Sequence, residues 1–237
     1  MASTGRKSTI ILDMDETLVH TYHDSMIWKK VKSTTTNYEL FHPKGRLPLC
    51  YSSIDDDGYC TMWGMYRPGL WEFLIYLEKT FDNVVIWSAG TEDYVNEIIE
   101  GIYNHLGRKL PNLILTRKHC RIENGQFHKP VIDVKHFTEL EELNIDYHPS
   151  RTLIVDDREW TFQNNENNGI LIPPYNPEDP DNSYDYRVED SHNVDVKAED
   201  IINFKDSRLY ELMNWMQRVR ISEQEDFTIL NKGNIFQ

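Results

Sequence analysis

The sequence predicts an α/β fold built on a central parallel sheet, and three observations predict it. Short, wholly apolar runs stop abruptly at polar residues, helical apolar periodicity fills the stretches between them, and a pair of carboxylates closes the first run. Thr9 to Leu12 is that first run, ending in Asp13 as a strand buried on both faces does when it reaches the carboxyl edge of a sheet. α/β sheets place their ligands at this edge. Val84-Val85-Ile86-Trp87 ends likewise at Ser88-Ala89-Gly90, and Thr152-Leu153-Ile154-Val155 at Asp156-Asp157. Leu70, Phe73, Leu74 and Leu77 follow Pro68-Gly69 at helical spacing, as do Val95, Ile98, Ile99, Ile102 and Leu106 further on. Alternating strand and helix favour a three-layer core with helices packed on the sheet.

The remaining segments depart from that alternation. Tyr22 to Tyr66 mixes polar and aromatic residues, with an Asp55-Asp56-Asp57-Gly58 turn signal between two short strand-like runs, and predicts an antiparallel insertion beside the core. Glu123-Asn124-Gly125 predicts a second hairpin, between Leu113–Ile122 and Gln126–Val134. Glu178 to Asp206 holds ten acidic residues against three basic and reads as a solvated loop. Leu209, Leu212, Met213 and Met216 then predict an amphipathic helix against the sheet, and the tail after Arg220 carries no signal. At 237 residues the chain is long enough for one well-cored domain: a core over about 8–175, the insertion over about 22–66 and a C-terminal part over about 178–220.

Composition narrows the function classes. With 39% hydrophobic and 27% charged residues, the chain has the profile of a soluble globular protein that folds alone. A formal charge of −14 argues against nucleic acid as a direct ligand, because binding a phosphate backbone needs a surplus of Lys and Arg on one face. Cys50, Cys60 and Cys120 form no CxxC pair, so neither a disulfide framework nor a zinc knuckle is indicated and a reducing compartment is expected. No apolar stretch approaches the length of a membrane span, which leaves cytoplasm or nucleus as the expected location.

The chemistry is concentrated in Asp13-Met14-Asp15-Glu16-Thr17. Alternate residues of extended chain put two carboxylates on one side of a sheet edge, where they suit metal binding and acid/base work. A bare DxD is weak, because solvated acidic turns produce it by chance. Its place after Ile10-Ile11-Leu12, and a partner pair Asp156-Asp157 after another apolar run, strengthen it. Convergent carboxylates repel one another unless a cation neutralises them, and hard oxygen ligands select Mg²⁺. The nine His residues form no HExxH or tight cluster and read as surface or packing residues, while Trp63, Trp71 and Trp87 read as core.

DMDETLVH resembles the DxDxT motif of haloacid dehalogenase (HAD) phosphatases, in the form carried by the C-terminal-domain (CTD) phosphatases of RNA polymerase II. Arg67-Pro68-Gly69 with Phe73-Leu74, then Ile86-Trp87-Ser88-Ala89-Gly90, then Ile154-Val155-Asp156-Asp157 match in order, over roughly Ser8 to Tyr175. The resemblance implies a HAD-like three-layer sandwich and a Mg²⁺-dependent phosphatase of phosphoserine or phosphothreonine in protein. It implies that Asp13 is the nucleophile that becomes an aspartyl-phosphate, and that Asp15 is the acid/base. The metal would be held by Asp13, the Asp15 carbonyl, and Asp156 or Asp157. Thr17 would fix the loop through its hydroxyl and Ser88 would bond a phosphoryl oxygen. Arg67 is a further candidate, either approaching the active-site loop to bind phosphate or forming an ordinary surface ion pair.

The resemblance also requires a cation on the phosphoryl oxygens, and two lysines compete for the place. Val134-Lys135-His136-Phe137-Thr138-Glu139-Leu140 resembles the family's VKDLSxL element and favours Lys135; Thr138 with Glu141 would there form a capping box. The ungapped distance from Cys120 favours Lys129 instead, and would make Val131 to Leu143 one longer helix. Lys135 is the preferred expectation. The expected partner is a phosphorylated protein or peptide. A HAD small-molecule or nucleotide phosphatase and a non-catalytic phosphopeptide-binding scaffold are the rival readings.

Overall fold

The computed structural model describes residues 6–22, 50–54, 60–109, 111–143, 145–177 and 205–236, with only the backbone at 50–54, 60 and 61. The strands, in chain order, are β1 (Thr9–Leu12), β2 (Val19–Tyr22), β3 (Cys50–Ile54), β4 (Cys60–Tyr66), β5 (Asn83–Trp87), β6 (Leu113–Leu115), β7 (Arg121–Glu123), β8 (Gln126–His128), β9 (Thr152–Asp156) and β10 (Gly169–Leu171). The helices are α1 (Leu70–Thr80), α2 (Glu92–Leu106), α3 (Thr138–Glu142) and α4 (Arg208–Arg218). Five strands form a wholly parallel sheet in the order β10-β9-β1-β5-β6, with β1 at its centre.

Side chains along these strands alternate between two cores. Ile10, Leu12, Val84, Ile86, Leu153 and Val155 face the side chains of α1, α2 and α4. Ile11, Val85, Trp87 and Ile154 face Val131, Val134, Leu140 and Phe162 on the other side. Burial on both faces is the reason the three runs are continuously apolar, and it makes the molecule the three-layer sandwich that the sequence predicts. Trp63, Trp71 and Trp87 are all buried. Among the described residues no helix is long and apolar enough to cross a membrane.

α4 lies against α1 through Leu209, Leu212 and Met216. Gly69, at φ +85° where α1 begins, meets it there: a Cβ on Gly69 would stand 2.7 Å from Cε2 of Tyr210. The tail contributes more than its sequence suggests, since Phe227 and Ile235 are buried in the same core and the Phe227 amide bonds the Ser150 carbonyl at 2.7 Å.

The insertion supplies a three-stranded antiparallel sheet in the order β2-β4-β3. Its Asp55–Gly58 turn lies outside the described residues, as does most of the acidic segment ending at Asp206. The second hairpin is shorter than predicted. Leu113–Leu115 joins the parallel sheet instead, and only Arg121–Glu123 pairs with Gln126–His128. Asn124 and Gly125, at φ 51° and 77°, make the tight two-residue turn that this dipeptide favours. Beyond β8 the longer of the two helices does not form, and the short one beginning at Thr138 forms without its expected cap. A 3₁₀ segment, Val131–His136, ends at extended Phe137, and α3 begins after it without a side-chain cap, so there is neither one long helix nor a Thr138 capping box.

Candidate active site

Because β9, β1 and β5 lie side by side in parallel, their carboxyl ends bring Asp156, Asp13 and Ser88 together. The Asp13 amide continues the ladder to the Val155 carbonyl at 2.9 Å, which sets Asp13 level with the end of β9. Asp13, Asp156 and Asp157 each present a carboxylate oxygen within 4.8 Å of the others. Lys129 enters from the opposite side, its ammonium bonded to Asp13 Oδ1 and, at 2.6 Å, to Asp156 Oδ2. Lys129, Asp13 and Asp156 are all buried.

Lys129 is the ammonium set between Asp13 and Asp156, and the guanidinium of Arg158 stands 3.6 Å from Asp157 Oδ2, so three mostly buried carboxylates share two cations. Burial raises the Asp13 carboxyl to about 7, against the opposing pull of Lys129 and with reinforcement from Asp156 and Asp15. Burial also holds Asp157 well above the ordinary carboxyl range, with Asp13 and Asp156 adding to it. The Lys129 ammonium is held above its usual range by the same two aspartates, which overcome its desolvation. Asp157 Oδ1 is buried and has no hydrogen-bond partner among the described residues. An unpartnered buried carboxylate oxygen beside two others is a donor set that fits a hard divalent cation.

Asp15, two residues past Asp13 and half-buried, is held separately. Its Oδ1 accepts from the Tyr94 hydroxyl, and its Oδ2 from Ser88 Oγ at 3.3 Å. Ser88 Oγ in turn accepts the Gly90 amide at 2.9 Å. The loop that carries Asp15 is tightly wound: the Leu18 amide bonds the Met14 carbonyl at 2.8 Å, and Glu16 takes a left-handed φ of 58°.

Three expectations need correction. The lysine that bonds Asp13 is Lys129 and not Lys135, which is exposed on the 3₁₀ segment. The hairpin closes at His128, and the Lys129 amide bonds the Thr161 carbonyl at 2.6 Å, so the chain turns inward one residue after β8. The Thr17 hydroxyl, expected to fix the loop, is buried without a partner among the described residues.

Arg67 fixes the loop instead, and has nothing left for a phosphate. Its five N–H donors go to the Glu16 carbonyl at 3.3 Å, the Thr17 carbonyl at 3.1 Å, the Pro173 carbonyl at 2.7 Å, and Asp206 twice, at 3.0 and 2.9 Å. Arg67→Lys is therefore expected to lower stability on the order of 2 kcal/mol, because an ammonium offers three donors to five acceptors. Turnover should fall with it. A thermal midpoint equal to wild type would show that the fork does not hold the loop.

Tyr94 and Asp206 escaped the sequence reading. Tyr94 continues the apolar stripe of α2 four residues before Ile98 and packs at the edge of the core, so it reads as packing; the signal that could have marked it is its place in the first turn, at the carboxyl edge of the sheet. Asp206 closes an acidic run read as solvated, and nothing local shows that it pairs with a buried arginine. Among the described residues no histidine joins the carboxylate cluster; His119, for example, accepts the Thr116 amide at 2.9 Å and bonds Glu139 at 3.0 Å.

A family model described as NLI interacting factor-like phosphatase matches residues 8–201. A putative CTD phosphatase-like protein of Invertebrate iridescent virus 6 is 27% identical over 203 residues, covering 82% of this chain and 96% of the viral protein. A CTD nuclear envelope phosphatase 1 homolog of Caenorhabditis elegans is 24% identical over 175 residues, covering 73% of this chain but only 60% of its own length. The structure of the fission yeast RNA polymerase II CTD phosphatase Fcp1 bound to beryllium fluoride superposes with a TM-score of 0.58 at 16% identity, covering 94% of this chain and 69% of that one. At that identity the likeness is one of fold, and the fold is the HAD-like sandwich described above.

Proposed function

We propose, from the premise that this chain belongs to the NLI interacting factor-like phosphatase family, that it is a Mg²⁺-dependent phosphatase of phosphoserine and phosphothreonine in protein chains, acting through an aspartyl-phosphate on Asp13. The observation that carries the reading is the separation of the two motif carboxylates: Asp13 is packed among Lys129, Asp156 and Asp157, while Asp15 is held apart by Tyr94 and Ser88. Two carboxylates in unlike surroundings are what a nucleophile and an acid/base require.

In this reading Asp13 attacks phosphorus in line with the departing seryl or threonyl oxygen. Lys129 spends two of its three N–H donors on Asp13 and Asp156, which leaves the third for a phosphoryl oxygen. Ser88 would turn its hydroxyl from the long 3.3 Å contact with Asp15 Oδ2 to a phosphoryl oxygen when substrate binds. Asp15 protonates the leaving oxygen and afterwards takes a proton from the water that hydrolyses the intermediate. Asp13, Asp156, Asp157 and the Asp15 carbonyl would hold Mg²⁺, which when bound offsets the repulsion between anionic nucleophile and phosphate dianion.

A protein substrate is favoured by the relatives, whose names place them among CTD phosphatases. A cytoplasmic or nuclear setting goes with that reading. The test is phosphate release from a phosphopeptide array, with nucleotides and sugar phosphates alongside. Peptides should be the better substrates, and preference for a small phosphometabolite would overturn the substrate class. Chelation of metal is expected to lower the rate by roughly a hundredfold or more, with Mg²⁺ restoring it and Ca²⁺ serving poorly because its larger, looser shell misplaces nucleophile and phosphorus. Beryllium fluoride should inhibit by occupying Asp13 as a phosphoryl mimic. Full activity after exhaustive metal removal would contradict the carboxylate site.

A further inference from the structure

We infer that Tyr94, braced by Thr21 of β2, is the positioning residue that presents one chosen oxygen of Asp15 to the leaving group. The inference rests on the acid/base role proposed for Asp15. The Tyr94 hydroxyl bonds Asp15 Oδ1 and lies 2.7 Å from Thr21 Oγ1. With the acidic proton carried on Oδ2, Oδ1 only accepts in either protonation state, so Tyr94 donates to Asp15 and Thr21 donates to the Tyr94 oxygen. Oδ1 is thereby tied down. Oδ2 is left with the longer 3.3 Å contact to Ser88 Oγ, at the end of β5 beside the strand that carries Asp13. Oδ2 is the oxygen that faces the reacting phosphoryl group.

The surrounding chain is shaped for this arrangement. Tyr94 lies in the first turn of α2, with its ring over Gly90; a Cβ there would stand 2.7 Å from Tyr94 Cδ1 and 3.1 Å from Ser88 Oγ. Glycine lets the ring and the serine hydroxyl converge on Asp15. Thr21 is fixed from the other side, because β2 pairs with β4 and sets Thr21 opposite Gly64. β2 thus reaches Asp15 through the contact between the Thr21 and Tyr94 hydroxyls.

The step this serves is balanced. As the Asp13 oxygen bonds to phosphorus, the bond from phosphorus to the leaving oxygen breaks and that oxygen takes the proton from Asp15 Oδ2. In the second half a water oxygen bonds to phosphorus, its proton passes to Oδ2, and the bond to Asp13 breaks. An aspartate carboxyl rotates with little preference about its last torsion. Without the Tyr94 anchor its two oxygens would exchange places, and the proton would be misplaced at the moment it is needed.

Leaving-group dependence tests the inference. Phenyl phosphate, whose leaving oxygen needs a proton, and 2,4-dinitrophenyl phosphate, whose leaving oxygen does not, are compared by kcat/KM, which covers the steps through formation of the aspartyl-phosphate. Tyr94→Phe should slow phenyl phosphate about tenfold and the dinitrophenyl ester by less than about twofold. Thr21→Val should show the same split at roughly threefold, and serves alone if Tyr94→Phe does not fold. Asp15→Asn is the control, expected to show the largest split. If it does and the Tyr94 and Thr21 variants lose both substrates equally, or neither, the positioning role is wrong. If Asp15→Asn itself shows no split, the acid role fails and the inference falls with it.

Discussion

Asp13→Asn is expected to lower turnover of phosphopeptides by roughly 10⁵-fold or more, the scale on which enzymes lose rate when a covalent nucleophile is removed. The amide is nearly isosteric with the carboxylate but cannot form the acyl-phosphate. The same substitution should stabilise the metal-free protein at pH 8, because it takes one anion from a buried cluster in which three carboxylates repel one another. The Asp13 carboxyl titrates near 3.8 in an unfolded chain and near 7 in the fold, so between those values the folded state binds more protons. Its contribution to stability is fully present below 3.8 and is lost as pH rises through 7. Asn removes that loss. A thermal midpoint at pH 8 higher by about 3 °C, the shift that roughly 1 kcal/mol gives a chain of this length, is the expected reading in chelator. A variant that is less stable than wild type at pH 8, or that still turns over phosphate esters near the wild-type rate, would remove Asp13 from the centre of the account.

Lys129→Ala is expected to slow the chemical step by about a hundredfold or more, the effect of removing one preorganised charge from the phosphoryl oxygens. Lys135→Ala should leave the rate unchanged, since that side chain is exposed on the 3₁₀ segment. Lys129→Ala also leaves Asp13 and Asp156 facing each other without the ammonium that bonds both, with Arg158 pairing only Asp157. Breaking such a buried pair costs about 3 kcal/mol. Asp13 and Asp156 hold the ammonium above its ordinary 10.5, so its stabilisation is fully present below that value and disappears only at higher pH. At neutral pH the variant should therefore show the whole loss, and Mg²⁺ should recover more stability in it than in wild type. Equal rates for Lys129→Ala and wild type would show that the ion pair is structural only.

The legible parts of the molecule were those written in local pattern. β1, β5 and β9 are buried on both faces, and their apolar runs announced both the sheet and the three strand ends that carry Asp13, Ser88 and Asp156. β6 and β10 have three residues each, too few for periodicity to speak: Leu113–Leu115 is legible only as part of a hairpin arm, and Gly169–Leu171 carries no strand signal. The choice between Lys129 and Lys135 turned on where a hairpin ends. Local similarity around Val134 outweighed spacing, and nothing in the local residues tells that the Lys129 amide bonds Thr161, 32 residues further on in number and across the site. Arg67 was legible as a residue near the loop but not in its role, because its carboxylate partner Asp206 lies 139 residues away. Tyr94 was hidden for the same reason, its partners Asp15 and Thr21 coming from elements far earlier in the chain.

The central claim is that phosphate passes through Asp13, and borohydride trapping tests it most directly. Protein mixed with a phosphopeptide and Mg²⁺, quenched and reduced during turnover, should yield homoserine at position 13 when its peptides are mapped by mass. The conversion should depend on both substrate and metal. Steady hydrolysis with position 13 left as aspartate, or with the reduced residue found at Asp15, Asp156 or Asp157, would contradict the account.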